Sequence, residues 1–362
     1  MARCIADAID RAGGWIGFER YMELALYAPG LGYYARGDRQ FGELPGSGSD
    51  FVTAPELSPL FGRALARQLE QALLATGTRE IWEFGAGSGA LAAQLMHALG
   101  ERIDRYVIVD LSNALRQRQQ RTLAERVPAH AAKAVWLDGL PARIDGVVVG
   151  NEVLDAMPVA LLHFDGAQWM ERGVALGADG RFVFADRPTA LRPPLEAQAA
   201  PGTTTELQRQ GEAFVRTLAT TLGRGAAFFI DYGFPETEFH HPQRLGGTLM
   251  CHRAHRADPD PLVDPGEKDI TAHVNFTGIA LAGQDAGLAV LGYTSQARFL
   301  INCGLPADLD TAVTAGDWRT VAAAQKLLNE HEMGELFKVV GFAAGAPFEA
   351  LGFAEGDRSH RL

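Results

Sequence analysis

The chain has 362 residues, of which 47% are hydrophobic, enough for one large core with appended elements. Its 33 lysine and arginine residues stand against 44 aspartate and glutamate residues, a formal net charge of -11. Because this balance repels a phosphate backbone, we expect no nucleic-acid partner.

Cysteine usage and hydropathy favour a cytoplasmic protein without a membrane span. Cys4, Cys251 and Cys303 are far apart and odd in number, which does not suit a disulfide framework and fits a reducing compartment. The first residues lack the apolar run of a signal peptide, and no stretch reaches the ~18 apolar residues of a transmembrane helix.

Residues 1–75 are predicted to form an N-terminal helical cap. Glu19–Tyr27 has the apolar spacing of a helix and ends before a Pro-Gly pair, and Pro59–Leu74 is a second helix. Residues 35–50 between them are polar and glycine-rich, which predicts a mobile segment.

From residue 76 to residue 362 the pattern predicts an α/β domain. Short apolar runs rich in Val, Ile and Phe are typical of buried parallel strands, and their alternation with helices predicts a doubly wound sheet. The predicted strands are Glu80–Phe84, Tyr106–Asp110, Ala134–Leu137, Gly146–Gly150 and Ala226–Asp231. The predicted helices between them are Ala90–Leu99 and Asn113–Arg126.

Two insertions interrupt this domain, at about residues 159–200 and 234–272. The first alternates apolar and polar residues with Asp-Gly turns, which predicts a β-meander. The second is rich in Pro, His and Asp and is predicted to be a long functional loop. Four further elements follow in the order helix, strand, helix, strand, at 275–286, 288–293, 317–330 and 336–342.

A glycine-rich turn joins the first strand to its helix. Gly85, Gly87 and Gly89 allow a ligand to approach the backbone closely at the helix N-terminus, as nucleotide-binding turns require. With Ala90 the turn also satisfies the dinucleotide pattern G-x-G-x-x-A, so an NAD-dependent oxidoreductase stays open. Glu83 favours S-adenosylmethionine instead, because a carboxylate suits a sulfonium and an ammonium and opposes a pyrophosphate.

Polar residues that follow the next strands are candidate cofactor ligands. Asp110 closes the second strand, where both nucleotide classes use a carboxylate to accept hydrogen bonds from ribose hydroxyls. Asp138 follows the third strand and is a candidate acceptor from an adenine amino group, although capping its loop explains it equally well. Asn151 ends the fourth strand and is a further candidate cofactor ligand.

The acceptor side of the site is predicted from the segment after the fourth strand. Should this segment form a helical turn, Glu152 and Asp155 would lie three residues apart on one face, where paired carboxylates can orient a guanidinium. Their alternative roles are a solvated side chain and a helix cap. Tyr232 and His273 are further candidates for this side. No metal is expected, because the spacing of Cys251, His252 and His255 matches no structural zinc pattern.

Long motifs throughout the chain resemble the MidA-type methyltransferases. Apart from the glycine turn, they are Tyr21–Tyr34, Asp50–Ser58, Asn151–Pro158, Asp231–Gly233, Gly247–Leu249, Asp269–Phe276 and Glu332–Val339. The resemblance implies a class I methyltransferase fold with a seven-stranded sheet, its last strand antiparallel, and S-adenosylmethionine as cofactor.

Mitochondrial members of this family are complex I assembly factors that methylate an arginine of a respiratory NADH dehydrogenase subunit. The resemblance therefore implies a protein-arginine methyltransferase with a protein substrate. Three positions depart from the family pattern: Asp110 replaces Glu, Asn275 replaces Asp, and Met250-Cys251-His252 replaces Arg-Cys-Tyr. Asp50–Ser58 suits either a lid over the cofactor or a packing loop. A scaffolding factor that keeps the fold without catalysis also stays open.

Overall fold

The computed structural model describes residues 1–36, 53–110, 112–195, 199–253 and 256–362. Its helices are α1 Ala2–Arg11, α2 Phe18–Tyr27, α3 Ala54–Leu57, α4 Pro59–Thr76, α5 Ala90–Leu99, α6 Asn113–Arg126, α7 Arg209–Thr221, α8 Glu236–Phe239, α9 Phe276–Asp285, α10 Gln296–Asn302, α11 Leu305–Thr314 and α12 Trp318–Leu328. Its strands are β1 Ile16–Gly17, β2 Glu80–Phe84, β3 Arg105–Val109, β4 Ala134–Leu137, β5 Ile144–Asn151, β6 Ala160–Phe164, β7 Trp169–Leu176, β8 Phe182–Pro188, β9 Thr204–Leu207, β10 Leu222–Phe234, β11 Met250–Arg253, β12 Arg256–Asp258, β13 Asp269–Thr271, β14 Val274–Asn275, β15 Ala289–Ser295 and β16 Phe337–Ala344.

The central sheet has the strand order β15-β16-β10-β5-β2-β3-β4, and the two-residue strand β14 pairs with the end of β10. Strands β4, β3, β2, β5 and β10 run parallel, whereas β16 is antiparallel to both of its neighbours. The prediction of a seven-stranded sheet with an antiparallel last strand is confirmed.

Each central strand divides its apolar side chains between two cores, as the two-residue period of a strand requires. Val147 and Val149 of β5 belong to the core under α4 and α5, whereas Val148 belongs to the core under α7 and α9. The sheet is therefore covered by helices on both faces, and the doubly wound class is confirmed.

Helix α7 was not predicted from the sequence. Its polar sequence contains a glycine, and its buried positions are few, with Val215 and Leu218 as the large apolar ones. These apolar positions lie on one face, so the helical period was present in the sequence. Strand β10 is longer than predicted at both ends, because Leu222–Gly225 extends along β5 and Tyr232–Phe234 pairs with β16 and β14.

The first insertion forms a second sheet, in which β1-β7-β6-β9 are neighbours and β8 pairs with β7. Helices α1 and α2 pack on this sheet, and their Ile5, Phe18 and Met22 share a core with Val174. Helix α4 instead packs in the core of the central sheet. The predicted cap at residues 1–75 therefore contains one helix of the central layer, and the domain boundary at residue 75 stays a prediction.

The second insertion, predicted to be a long functional loop, has secondary structure of its own. It contains the short helix α8 and a three-stranded sheet in the order β12-β11-β13. Cys251 and Ile270 of this sheet join the core beneath the N-terminal helices. Within the described ranges, no helix is both long and apolar enough for a bilayer span.

Gly173 allows the N-terminal segment to pair with the inserted sheet. A Cβ at this position would lie 2.2 Å from the Ile16 carbonyl oxygen and 2.4 Å from the Trp15 ring. We expect Gly173→Val to lower the free energy of unfolding by about 1–3 kcal/mol, the usual cost of overpacking. Urea unfolding measures this.

Gly246→Ala is the matched control, because its added Cβ would meet nothing within 4 Å. Hydrogen exchange should show that the N-terminal residues lose protection only in the Gly173 variant. Equal unfolding midpoints for the two variants would contradict this account of β1.

Candidate active site

A cavity of about 1310 Å³ opens where β2, β3, β5 and β10 end, the position at which open α/β sheets bind ligands. Its walls include most of the predicted site residues: Glu83, Gly85, Gly87, Asp110, Asn151, Glu152, Asp155, Tyr232 and His273. Gly89 and Asp138 are predicted site residues that do not line it.

The glycine turn needs glycine for different reasons at its two ends. Gly85, Gly87 and Gly89 have φ values of 64°, 50° and 82°, in the left-handed region that favours glycine. Gly85 lines the cavity, whereas Gly89 lies at the N-cap of α5, where a Cβ would be 3.1 Å from the Gln119 Cα. Gly89 thus allows α5 and α6 to pack closely, and its predicted contact with the cofactor stays a prediction.

Glu83 is the penultimate residue of β2 and lies buried in the cavity wall. Burial raises the pKa of its carboxyl to about 8, and a hydrogen bond from the Tyr106 hydroxyl at 2.7 Å acts in the opposite direction. A cation bound beside Glu83 would favour its ionised form, so this carboxyl and a cationic ligand stabilise each other.

Asp110 is held in a fixed orientation by two donors. The Ser112 N–H donates to Oδ1 at 2.9 Å, and the Gln119 amide donates to Oδ2 at 2.8 Å. Gln119 also donates to the Gly87 carbonyl at 3.2 Å and accepts from the Trp136 indole at 2.9 Å. Gln119 is fully buried and was not predicted from the sequence. It joins the Asp110 carboxylate to the glycine turn.

Asp138 does not line the cavity, and its contact with an adenine amino group stays a prediction. Its exposed side chain pairs with Arg116, and the next two residues, Gly139 and Leu140, line the cavity in its place. An exposed loop side chain turns toward a nearby opposite charge, here Arg116. Its position after a strand does not reveal this direction.

The turn after β5 is held by Asp231, a buried residue that the sequence did not place in the site. One oxygen of its carboxylate accepts from the N–H groups of Val153, Leu154 and Asp155 at 3.1, 2.9 and 3.2 Å. An acidic residue at the end of the apolar strand β10 was the available signal. The turn is not the helical turn that the sequence analysis considered.

Glu152 has a φ of 54°, one of two positive values outside glycine in the described residues. Its N–H donates to the Ile230 carbonyl at 2.9 Å, and its Oε1 accepts from the Asn151 amide at 3.0 Å. Burial and the neighbouring Asp155 raise the pKa of Glu152 to about 8. The strained backbone therefore places a carboxyl in a poorly solvated site.

Asp155, Tyr232 and His273 form one cluster. The Tyr232 hydroxyl donates to Asp155 Oδ2, while Oδ1 of this carboxyl is buried without a hydrogen-bond partner. Burial raises the pKa of Asp155 to about 6. The His273 ring lies 5.1 Å from the Tyr232 ring, and burial lowers the pKa of His273 to about 4, so this imidazole is neutral at physiological pH.

Among the cavity residues that the sequence did not predict are five aromatic or charged side chains from other parts of the chain, Tyr27, Tyr34, Phe214, Arg244 and Asp269. They lie on α2, α7 and the N-terminal and second-insertion segments. Aromatic and charged residues in such segments carry no local signal of a shared site, because only the tertiary fold brings them together.

Residues 53–58 of the proposed lid are described, whereas residues 50–52, like most of the segment predicted to be mobile, lie outside the described ranges. Thr53 and Pro55 line the cavity, and the Gln94 amide donates to the Pro55 carbonyl at 2.6 Å. This part of the segment is docked on α5, and its role as a lid stays a prediction.

Two of the three departures from the family pattern, at Asp110 and at residues 250–252, involve residues that line the cavity. Met250 and His252 line the cavity, whereas Cys251 between them is buried in a core. Asn275 caps α9 by accepting from the Gly278 N–H at 3.2 Å. No group of three or more potential metal ligands occurs in the described residues, and His255 lies outside them.

Comparisons with known proteins identify the family. The family model described as "Putative S-adenosyl-L-methionine-dependent methyltransferase" matches residues 64–294. The protein arginine methyltransferase NDUFAF7 homolog, mitochondrial, of Drosophila melanogaster is 30% identical over 79% of this chain and 71% of its own length. The human protein arginine methyltransferase NDUFAF7, mitochondrial, is 27% identical over 97% of this chain and 84% of its own. The chain belongs to this methyltransferase family.

A solved structure that is similar to this chain has the same fold. A Burkholderia thailandensis protein in complex with S-adenosyl-homocysteine is 53% identical, with a TM-score of 0.96 over 100% of this chain and 96% of that one. The predicted MidA-type family, class I fold and S-adenosylmethionine cofactor are confirmed. The alternative of an NAD-dependent oxidoreductase, which rested on the glycine pattern alone, is not confirmed.

The cavity fits this cofactor. Glu83 supplies a carboxyl beside the glycine turn, Asp110 presents an oriented carboxylate, and Asn151 Oδ1 is a buried acceptor without a hydrogen-bond partner. Amino and hydroxyl groups would satisfy these acceptors, while Gly85 and Gly87 leave space at the backbone.

We expect Asp110→Ala to bind S-adenosylhomocysteine roughly 10- to 100-fold more weakly, since a hydrogen bond to a charged group contributes about 1.5–3 kcal/mol. Titration calorimetry measures the affinity, and thermal unfolding should show that the fold is kept. Asp138→Ala is the matched control, because its exposed carboxylate also follows a parallel strand but does not line the cavity. Equal losses in the two variants would exclude the role of Asp110.

Proposed function

We propose that this methyltransferase transfers methyl groups to an arginine side chain of a protein. The observation that carries the proposal is the acidic acceptor side of the cavity, where Glu152 and Asp155 lie together in a poorly solvated wall. A guanidinium offers the planar set of donors that paired carboxylates accept. The relatives' description as protein arginine methyltransferases supports the same acceptor.

We further propose, from the resemblance to MidA-type proteins, that the acceptor is a subunit of the respiratory NADH dehydrogenase. The cysteine usage and composition support a cytoplasmic location for the reaction, whereas the named relatives are mitochondrial.

The protein residues contribute mainly by positioning. S-adenosylmethionine supplies an electrophilic methyl group when it is bound. Glu152 and Asp155 would hold the guanidinium in line with it, and orientation of this kind can contribute several kcal/mol to the barrier. Asp155 Oδ1, which has no hydrogen-bond partner, is placed to accept the proton that the methylated nitrogen releases.

The pH dependence should follow the two raised carboxyl pKa values. Below about pH 6 both carboxyls are protonated, and they ionise as the pH rises through about 6 for Asp155 and about 8 for Glu152. Arginine stays charged throughout, so we expect kcat/KM to rise over this range. A pH profile of initial rates measures it.

Glu152→Gln should remove the upper inflection of this profile. We also expect turnover to fall about 100-fold or more, the loss typical of a positioning or electrostatic group, with S-adenosylhomocysteine affinity nearly unchanged. Asp138→Asn serves as the control. Normal turnover in Glu152→Gln would refute the steering role.

Labelled cofactor and a cell extract test the acceptor directly. Mass spectrometry of the labelled site should find methylated arginine, and methylation of another residue type would overturn the proposal. If Asp110→Ala abolishes labelling but still binds the partner and supports assembly of the dehydrogenase, the scaffolding alternative is favoured.

A further inference from the structure

Two tyrosines and an aspartate from outside the central sheet complete one wall of the cavity. Tyr27 ends α2, Tyr34 lies seven residues further along the chain, and Asp269 begins β13. The Tyr34 hydroxyl donates to Asp269 Oδ1 at 2.9 Å, and the Tyr27 hydroxyl donates to the Ala156 carbonyl at 2.9 Å. The N-terminal segment is thereby connected to both sides of the acceptor region.

The two phenol rings form a stacked pair. Their centroids are 5.6 Å apart and their planes differ by 23°. Each hydroxyl donates its hydrogen to a protein acceptor, so the pair offers ring surface and oxygen acceptors to a ligand. Such a surface favours a cation over an anion.

The strand that Asp269 begins leads directly to the backbone of Asp155, and the carboxyl groups of both residues act on the tyrosine pair. The Ala272 N–H, three residues after Asp269, donates to the Asp155 carbonyl at 3.0 Å. Charges on Asp269 and Asp155 both raise the pKa of Tyr27 and of Tyr34, after the larger effect of burial. The tyrosine pair therefore lies within the electrostatic field of both carboxyl groups.

Carboxyl groups outnumber arginine and lysine side chains among the described residues that line the cavity. Among the described lining residues, the carboxyl groups are Glu83, Asp110, Glu152, Asp155 and Asp269, and the arginine is Arg244. Glu83 and Asp110 belong to the cofactor end. Asp269 adds a third carboxyl group to the acceptor end, and it accepts a hydrogen bond from one member of the stacked tyrosine pair.

We propose that Asp269 and Tyr34, with Tyr27 stacked on Tyr34, form the specificity element that selects a guanidinium over an ammonium or a neutral acceptor. The inference rests on the proposed arginine acceptor. A guanidinium is planar and weakly hydrated, so it can lie against the rings and hydrogen-bond at its edge to carboxylates. An ammonium is compact and strongly hydrated, and gains less from the rings.

A purely structural role for the pair makes a different prediction. If the pair were only a tether, it would depend on the hydrogen bond between Tyr34 and Asp269. Asp269→Asn keeps this hydrogen bond, because its side-chain oxygen still accepts, and removes the negative charge of the carboxylate. Tyr34→Phe does the opposite, since it removes the hydrogen bond and keeps the ring.

The test titrates the protein saturated with S-adenosylhomocysteine with three capped amino-acid amides, those of arginine, lysine and citrulline, by calorimetry or NMR. The wild type should prefer arginine to both others. Asp269→Asn should lose roughly 10- to 100-fold of the preference over neutral citrulline, the loss expected for one charged hydrogen-bonding group, with unchanged cofactor affinity. Asp269→Glu should restore part of it.

Asp264→Asn is the matched control, since this exposed residue of the same insertion pairs with Arg253 and does not line the cavity. If Asp269→Asn fails to fold, Tyr34→Leu tests the aromatic part, and the preference of arginine over lysine should fall.

The two proposals fail in different ways. A wild type that does not prefer arginine overturns the arginine acceptor itself. A wild type that prefers arginine while Asp269→Asn and Tyr34→Leu keep the same preference overturns the specificity element and leaves the acceptor proposal standing.

Discussion

The carboxylate of Asp231 is the interaction on which the arrangement of the acceptor side depends. It is fully buried at the end of β10 and collects three backbone N–H groups of the turn after β5 on one oxygen, while the other accepts from the Tyr232 N–H at 2.9 Å. A buried carboxylate without donors is costly, so the turn and the carboxylate require each other. Together they fix Glu152 and Asp155 in the cavity wall and bring Tyr232 to Asp155.

The two insertions are connected to this centre through polar side chains of β9 and its flank. Glu206 accepts from the Thr248 and Leu249 N–H groups at 2.6 and 2.9 Å, and Thr248 in turn accepts from the His273 N–H at 3.0 Å. Gln208 donates to the His273 carbonyl at 2.6 Å. The inserted sheet therefore holds the segment that carries His273 against the central strands.

Low solvation gives the site its chemical character. The pKa values of Glu83, Glu152 and Asp155 are all raised by burial, so these groups are poorly stabilised as anions by the protein alone. A sulfonium cofactor and a cationic acceptor would supply the missing counter-charge at the two ends of the cavity. The proposed preference for cations rests on this burial combined with the excess of carboxyl groups among the described lining residues.

The sequence by itself determined the central sheet, because buried parallel strands consist of short apolar runs. It also located the ligand-binding turn, because backbone with positive φ favours glycine. It also indicated Asp110, Glu152 and Asp155, since strand ends of an open α/β sheet meet at one edge. The tertiary structure decided the rest. Whether a strand-end side chain turns inward depends on its neighbours, and so Gln119 orients Asp110 inside the cavity whereas Arg116 pairs with Asp138 outside it. Tyr34 and Asp269 are 235 positions apart, and no local pattern encodes their contact, because it exists only after both appended sheets pack together.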